Sequence, residues 1–443
     1  MREPNEKEVG SFGNDLLRDA VQMKLRWYHG TRLTKSRPCP DCDEENYRKH
    51  DVEDRIFAIL ITEDGFEEIT VKQRRFWCKN CQQTVSADRS SLFYDDCLYG
   101  KPIVNLCLQL ASKMSNTAVE EHLQQIGIQV DKDTVRRYVE QFGENFAEQH
   151  GITVAGESLA QNVLGALFEV TTVEELEEEY ADELTAAGID EVAGCADETY
   201  PTKKGAKQQL YEENMRRKRE GEDPRTLPES FTVGCGYLPQ LNCYASVQCR
   251  NTAFASVLAN ALGMPLSGVA YCVTDDEDCY NDTFDGRVKC LFHRLRTRAR
   301  SDERVDTLAE EGRREELETY LETEYTELYE TEIDDLKDEY PSFWDEKREE
   351  FTGPVTTNAI EGGNWRLKDK LSVPYRQADT ARGRVLLGVL NDSLSVYSNG
   401  HPAASFAHRH GSFSFQKIMG EGSVQSPDPV SHPPLPPVQE VAM

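Results

Sequence analysis

Long hydrophobic runs are missing from this sequence of 443 residues. No apolar run reaches the roughly 18 residues that a membrane-spanning helix needs, and Met1–Glu6 lacks the apolar core of a signal peptide. These absences exclude an integral membrane protein and predict an intracellular, cytoplasmic, soluble chain. We expect two or three domains, because a single hydrophobic core rarely grows beyond about 250 to 300 residues.

Basic residues are scarce, with 50 Lys and Arg against 79 Asp and Glu and a formal net charge of −29. Such a charge argues at first against a nucleic-acid partner, because phosphate binding needs local Lys and Arg. Most of the excess lies in two stretches, 171–191 and 301–351, which predict solvated helix faces away from any substrate. A surface this acidic is typical of salt-loving organisms, where high salt screens self-repulsion. The sequence therefore predicts a halophilic source and leaves DNA open as a partner.

Paired cysteines are few: only four of the 13 cysteines fall into C-x-x-C pairs. Without an export signal, such pairs indicate metal ligands, and the remaining cysteines indicate small buried thiols. Two alternating segments around Asp64-Gly65 predict a β-hairpin between the pairs. Two such pairs joined by a hairpin predict a Cys₄ zinc ribbon within residues 1–101, with unrelated thiols as the alternative. Its ligands would be Cys39, Cys42, Cys78 and Cys81.

Bases and aromatics alternate just before the second pair, at 72–77. This pattern suits contact with a DNA backbone, for which Arg74 and Arg75 are the candidates. Residues 102–150 then show three helical patterns, the last two separated by a turn at Gly127. Their order predicts an all-α helix-turn-helix whose last helix presents Arg136 and Arg137 to DNA. A plain three-helix bundle is the alternative.

A short apolar strand at 192–196 runs directly into Asp197. A buried carboxylate is costly unless it binds a cation or a donor, so Asp197 indicates either a metal site or a strand end in water. The pattern then predicts two strands, a helix and a strand, at 231–237, 242–248, 252–262 and 268–274. The last strand ends at Asp275. This order predicts an α/β domain at 191–400 with an RNase H-like mixed sheet.

An RNase H-like site needs three carboxylates that hold two divalent ions about 4 Å apart. Asp197 and Asp275 supply two of them, with Asp276 as the alternative to Asp275, and Glu361 supplies the third from a later helix. We therefore expect Mg²⁺ or Mn²⁺ at these acids, although a solvated carboxylate is the commoner fate of a single Glu. Two bases that follow Glu361 suit phosphate contact, Arg366 and Lys368.

These residues resemble a known family. The segments that carry the resemblance are Asp197-Glu198-Thr199-Tyr200, Thr274-Asp275, Cys290-Leu291-Phe292-His293 and Thr356-Thr357-Asn358-Ala359-Ile360-Glu361. They are similar to the Asp-Asp-Glu transposases of prokaryotic insertion sequences, especially the Mutator-like group, and the acidic composition favours a haloarchaeal member. The resemblance covers about residues 192–398, and the order and spacing of its motifs are more specific than any one of them.

The resemblance implies a DNA transposase that cleaves and joins insertion-sequence ends. Its partners would be the terminal repeats and target DNA, on which we expect a homodimer or larger assembly near the nucleoid. The resemblance also implies a helical insertion at about 301–351. For Cys290 and His293 we expect a structural or DNA-contacting role, because no second pair completes a zinc site.

Two other functions fit the same residues. One is an inactive zinc-dependent DNA-binding regulator, which retention of all three carboxylates disfavours. The other is an RNase H-like nuclease or resolvase, which the C-x-x-H segment and the insertion disfavour. Outside these domains we expect an acidic helical linker at 151–190 and a disordered tail at 401–443, where proline is frequent.

Overall fold

The computed structural model is a mixture of helices and mixed β-sheets. It divides into two compact units. The first contains the residues up to Cys107, Glu120–Lys132 and the described residues after Phe415, and the second contains Leu108–Val119 and the described part of Asp133–Ser414. The residues that the structure describes are 6–150, 152–154, 157–159, 162–170, 172–199, 206–219, 232–250, 269–275, 286–299, 302–310, 313–357, 360, 378–393 and 415–420.

A long antiparallel hairpin forms the centre of the first unit. Its strands follow helix α1 (Glu6–Arg26), and the sheet order is β1-β3-β2 with β4 paired to β3. The strands are β1 (Arg32–Leu33), β2 (Tyr47–Thr62), β3 (Gly65–Cys78) and β4 (Thr84–Ser86). Thr62 pairs with Gly65, which confirms the predicted hairpin turn. Gly65 has φ +120°, a conformation that residues with a Cβ rarely adopt.

The hairpin buries one face through alternate residues, as a half-buried strand should. Leu60 and Val71 are fully buried, and Ile69 is nearly so. Helix α1 is attached to this hairpin by Gln22, whose amide donates to the Ile61 carbonyl oxygen at 2.9 Å and to the Gly127 carbonyl oxygen at 3.2 Å. These two hydrogen bonds hold α1 on the hairpin.

Three helices occupy the region where the helical patterns were predicted. They are α2 (Lys101–Ala111), α3 (Asn116–Gln125) and α4 (Lys132–Gln149). The Ser115 hydroxyl accepts from the Ala118 backbone N–H at 3.2 Å, as a helix cap does. Gly127, between α3 and α4, has φ +78°. Because the boundary between the units falls within α2 and α3, residues 102–150 are shared between the two units.

A five-stranded mixed sheet organises the second unit, in the order β11-β10-β7-β8-β9. Strand β7 runs antiparallel to β8, which runs antiparallel to β9, whereas β10 and β11 run parallel to β7. The five strands are β7 (Val192–Thr199), β8 (Thr232–Leu238), β9 (Cys243–Arg250), β10 (Val269–Thr274) and β11 (Arg287–Lys289). The strands predicted from apolar runs are confirmed, and β11 was not predicted.

Helices flank this sheet along the chain. A small hairpin of β5 (Ile152–Val154) and β6 (Glu157–Leu159) precedes them. The helices are α5 (Val163–Phe168), α6 (Val173–Ala187), α7 (Ala206–Arg219), α8 (Leu291–Arg298), α9 (Glu303–Glu310), α10 (Arg314–Glu324), α11 (Thr326–Glu339), α12 (Ala378–Ser393) and, in the first unit, α13 (Phe415–Ile418). Within the described residues, no helix is long and apolar enough to span a membrane.

Helices α4 and α12 of the second unit cross with almost no space between their backbones. A Cβ added at Gly383 would lie 1.8 Å from the Val139 carbonyl oxygen, and one added at Gly143 would lie 2.6 Å from the Gly383 nitrogen. Two glycines at the crossing therefore permit a contact that any side chain would prevent.

Three stretches differ from their predictions. The acidic segment at 151–190 includes α5, which packs against β9, as well as the predicted α6 with its Thr172–Glu175 capping box. The insertion at 301–351 is helical through α11 but ends in a short antiparallel pair, β12 (Trp344–Asp345) and β13 (Glu350–Phe351), whose turn is held by the Asp345 carboxylate. In the predicted tail, Ile418 and Met419 are buried. The helix predicted at 252–262 lies outside the described residues.

Candidate functional site

The two C-x-x-C segments adopt the same backbone geometry. In each, the residue after the second cysteine is left-handed: Asp43 has φ +55° and Gln82 has φ +57°. Each of these residues donates its backbone N–H to the carbonyl oxygen of the first cysteine, Cys39 at 2.8 Å and Cys78 at 3.1 Å. The two knuckles therefore have the same shape. One precedes β2 and the other follows from the end of β3, so they meet at the open end of the hairpin.

The four sulfurs of these knuckles form one cluster. All four lie within 4.8 Å of one another, and three contacts measure 3.3 Å (Cys39–Cys81), 3.6 Å (Cys42–Cys78) and 3.9 Å (Cys42–Cys81). Zinc–sulfur bonds of about 2.3 Å in a tetrahedron imply sulfur–sulfur distances of about 3.8 Å. The donor set and its spacing therefore fit one zinc ion, as the sequence predicts.

Hydrogen bonds differentiate these thiols. The backbone N–H groups of Cys81 and Asn80 donate to the Cys78 sulfur and lower the pKa of that thiol to about 7. Its neighbour Cys81 hydrogen-bonds with Cys39, which raises the pKa of Cys81 to about 12. Because four thiolates repel one another, the full ligand set needs the charge of a cation.

The basic residues next to this cluster differ in their contacts with acidic and aromatic neighbours. Arg75 forms a paired contact with Asp51, with Nε 2.7 Å from Oδ1, and lies 3.5 Å from Glu53. This contact lowers the pKa of Asp51, so a phosphate would have to compete with a carboxylate for the Arg75 side chain. Arg74 is half-buried. Trp77, beside the knuckle, has the Arg48 guanidinium 5.4 Å from its ring centre.

Arg136 and Arg137 lie on the exposed side of α4. Arg136 contacts Asp133 at 3.5 Å and Glu140 at 3.9 Å, and Arg137 donates to the Thr134 hydroxyl at 3.1 Å. Exposed pairs along one helix are worth only a few tenths of a kcal/mol, so they do not prevent either arginine from meeting a phosphate.

Asp197 and Asp275 lie at the same level of two neighbouring parallel strands. The register pairs Cys195 of β7 with Val273 of β10, and each acid comes two residues after its paired residue. Both acids are half-buried. Neighbouring strands run about 4.8 Å apart, so the sheet brings these carboxylates together although 78 residues separate them in sequence. Carboxylate oxygens are the donors that Mg²⁺ and Mn²⁺ prefer, so this pair suits such an ion.

The segment that leads to Glu361 lies over the face of the sheet that carries Asp197. Cys195 and Asp197 point to the same face because they are two residues apart in a strand, and the Cys195 sulfur is 3.8 Å from the Thr356 carbonyl oxygen. Ile360, the last described residue of this segment, is fully buried. Glu361, Asp276, Arg366 and Lys368 lie outside the described residues.

Cys290 and His293 lie at the start of α8, and Cys290 is buried there. Its sulfur accepts hydrogen bonds from Thr357, through the backbone N–H at 3.4 Å and the hydroxyl at 3.5 Å. Among the described residues, the only group of three or more potential metal ligands is the Cys39 cluster. The described part of the chain therefore supplies no further ligands that would complete a zinc site with Cys290 and His293.

Sequence reasoning missed Arg287. Its guanidinium donates to the Thr274 hydroxyl at 2.8 Å and to the Asp275 carbonyl oxygen at 2.7 Å, which fixes the backbone at the second acid. Arg287 lies on β11, a strand of three residues that is too short to show a sequence pattern. Comparison with known proteins adds no family: no family model matches the chain, and no curated protein matches it.

Proposed function

We propose that the protein is a DNA transposase that cleaves and joins insertion-sequence ends by metal-dependent phosphoryl transfer. The observation that carries the proposal is the juxtaposition of Asp197 and Asp275 on neighbouring parallel strands. Two half-buried carboxylates brought close together repel each other, and a bound cation would relieve that repulsion.

The sheet supports the same proposal through its topology. Three consecutive antiparallel strands (β7, β8, β9) are followed by two strands, β10 and β11, that add in parallel on the other side of β7. This order supports an RNase H-like sheet, in which the first and fourth strands would carry the first two acids side by side. The proposal assigns Glu361 as the third acid.

The chemistry would be divided among these residues. Asp197, Asp275 and Glu361 would hold Mg²⁺ or Mn²⁺, which when bound would supply activation of a water or DNA 3′-hydroxyl and stabilisation of the leaving oxygen. Arg287 fixes the backbone of the second acid. No covalent protein intermediate is needed. Specificity for DNA ends would come from the zinc-ribbon region and from a helix-turn-helix formed by α3 and α4.

The test is cleavage of a supercoiled plasmid that carries the element's ends, with purified protein and Mn²⁺ at high salt. Asp197→Asn, Asp275→Asn and Glu361→Gln should each lower the cleavage rate by at least about a thousandfold, since each removes a metal ligand. All three should still bind DNA ends. Asp276→Asn is the matched control and should retain activity.

A second control changes residues that are proposed to bind DNA and leaves the metal ligands intact. It is the double variant Arg136→Ala with Arg137→Ala. It should lower end affinity and reduce the slope of log affinity against log salt by up to about two units, because two phosphate contacts are lost. Cleavage by Asp197→Asn at the parent's rate would refute the proposed site. A parent protein that binds ends but never cuts them would favour the inactive regulator, and one that cuts without joining would favour a nuclease or resolvase.

A further inference from the structure

The start of α8 joins the two segments that flank the proposed site. The Cys290 backbone N–H donates to the Thr274 carbonyl oxygen at 2.7 Å, directly before Asp275. The next N–H, that of Leu291, donates to the Val355 carbonyl oxygen at 2.8 Å. The first N–H groups of a helix lack partners within the helix, and here they hold the end of β10 and the segment before Glu361 together.

One peptide unit of that segment is held on both sides by sulfur. The Thr356 carbonyl oxygen accepts from the Cys195 thiol at 3.8 Å, and the Thr357 N–H of the same peptide unit donates to the Cys290 sulfur at 3.4 Å. Cys195 and Cys290 are fully buried, and Thr357 is nearly so. Because water has little access, neither sulfur contact competes with solvent.

The two thiols have opposite hydrogen-bonding roles. The Cys195 thiol donates to the Thr356 carbonyl oxygen. Burial acts to raise the pKa of Cys290, but hydrogen bonds from His293 and Thr357 outweigh it and lower that pKa. A sulfur that accepts several hydrogen bonds carries more negative charge and binds its donors more strongly.

We propose that Cys195 and Cys290 form a thiol clamp that holds the peptide unit between Thr356 and Thr357, on the segment that leads to Glu361, against the strands that lead to Asp197 and Asp275. The inference rests on the proposed function, because it is that function which assigns a ligand role to Glu361. Cys195 is two residues before Asp197, Cys290 is bonded to the residue before Asp275, and the clamped peptide unit is four residues before Glu361. The clamp thus connects all three metal-binding segments without touching an ion. Cys290 and Cys195 are positioning residues, and they are not catalytic.

The first test uses the full-length, zinc-loaded protein without added Mg²⁺ or Mn²⁺, and it measures hydrogen exchange in a peptide covering residues 352–360. In Cys290→Ala this peptide should exchange at least about tenfold faster, the effect of losing one hydrogen bond of ordinary strength. Thr357→Val keeps the shape but loses the hydroxyl contact, and it should produce a smaller increase. Cys243→Ala, which removes a fully buried thiol from β9, is the matched control and should leave the peptide unchanged.

The second test measures Mn²⁺ binding by the electron paramagnetic resonance signal of the free ion. Cys290→Ala should weaken binding by about tenfold, and Cys290→Ser should recover part of the loss, because a hydroxyl can accept from the same donors. If Cys290→Ala does not fold, Thr357→Val and Cys290→Ser carry the same comparison. Unchanged exchange and unchanged Mn²⁺ binding in the folded variants would overturn the clamp.

The outcomes separate this inference from the proposed function. If the variants loosen residues 352–360 and weaken Mn²⁺ binding while the parent never cuts DNA, the clamp stands and the transposase function is refuted. If the parent cuts DNA and Cys290→Ala cuts with the same Mn²⁺ dependence, the function stands and the clamp is refuted.

Discussion

The thiol cluster of the first unit differs from the thiols buried on the sheet of the second unit. In the first unit, four thiols meet in one cluster and backbone N–H groups lower the pKa of Cys78 to about 7. In the second unit, burial raises the pKa of thiols such as Cys243 and Cys272 on separate strands. The difference shows that burial alone does not define a thiol's role. Four sulfurs brought together suit a metal ion, whereas a single thiol in apolar surroundings is part of the core.

The same contrast applies to how each unit is held together. The knuckle region of the first unit has a small buried cluster, Cys39, Cys78 and Val85, and its knuckles close around the four thiols. The second unit buries a five-stranded sheet with helices such as α12, whose residues from Val385 to Leu387 are fully buried. We therefore expect metal to govern the stability of the first unit and packing to govern that of the second.

The largest expected effect is the loss of zinc. Cys78→Ser should release the metal and unfold the knuckle region, because structural zinc contributes about 10 to 16 kcal/mol of binding free energy at neutral pH. Elemental analysis gives the zinc content, and limited proteolysis identifies the unit that opens. Cys243→Ser is the matched control, because it changes a thiol of the second unit and should retain zinc. Equal zinc content in Cys78→Ser and the parent protein would refute the zinc site.

A second prediction concerns Arg384, a buried charge in the second unit. Its guanidinium donates to the carbonyl oxygens of Met114 at 2.6 Å and Ala111 at 3.3 Å and to the Asn116 side chain, so it holds the turn between α2 and α3. Arg384→Met should lower the free energy of unfolding by about 3 kcal/mol, because it leaves buried carbonyl groups without a charged donor.

The measurement for Arg384 is chemical denaturation of the zinc-loaded protein, monitored by the transition of the second unit. Arg382→Met, at a half-buried neighbouring position, should change stability by less than about 1 kcal/mol. Zinc content should be the same in both variants. A loss of zinc in Arg384→Met would break the contrast between the two units.

The smallest effect is a pH dependence at His150. This residue is buried with Nδ1 3.3 Å from the Val170 carbonyl oxygen, and burial lowers its pKa. The unfolded chain takes up a proton near pH 6.5 and the folded chain does so only at lower pH, so this contribution to stability is present above pH 6.5 and lost as pH falls. His150→Gln should flatten the loss of stability between pH 7 and 5. The exposed His122→Gln should not.

Local patterns made parts of the molecule predictable. The knuckles were predictable because their ligands lie close in sequence at the two ends of one hairpin, and strands such as β7 were predictable from their apolar runs. The strand β11 has only three residues and gives no such signal. The contact of Cys290 with Thr357 spans 67 residues, and it depends on sheet register and helix placement that no short pattern contains.

The charge of the chain also limited prediction. The net charge of −29 gave little information about where a site lies. The described acids of the proposed site, Asp197 and Asp275, differ from the other acids in their position on neighbouring strands of a sheet. The stretch at 301–351, rich in acids, forms α9 to α11, where most carboxylates lie on exposed faces. Counting acids therefore indicates the solvent-facing surface, and only the strand pattern indicates Asp197 and Asp275.

The glycine crossing of α4 and α12 has a mechanical consequence. Side chains between two packed helices can absorb small displacements by changing rotamer. Gly143 and Gly383 have no side chains that could do so. A displacement of α4, whose exposed face carries Arg136 and Arg137, therefore meets the backbone of α12 directly at this crossing. Helix α12 packs along β9, and Ser393 accepts a hydrogen bond from the Tyr244 N–H at 3.1 Å. A displacement of α12 is therefore passed directly to the sheet.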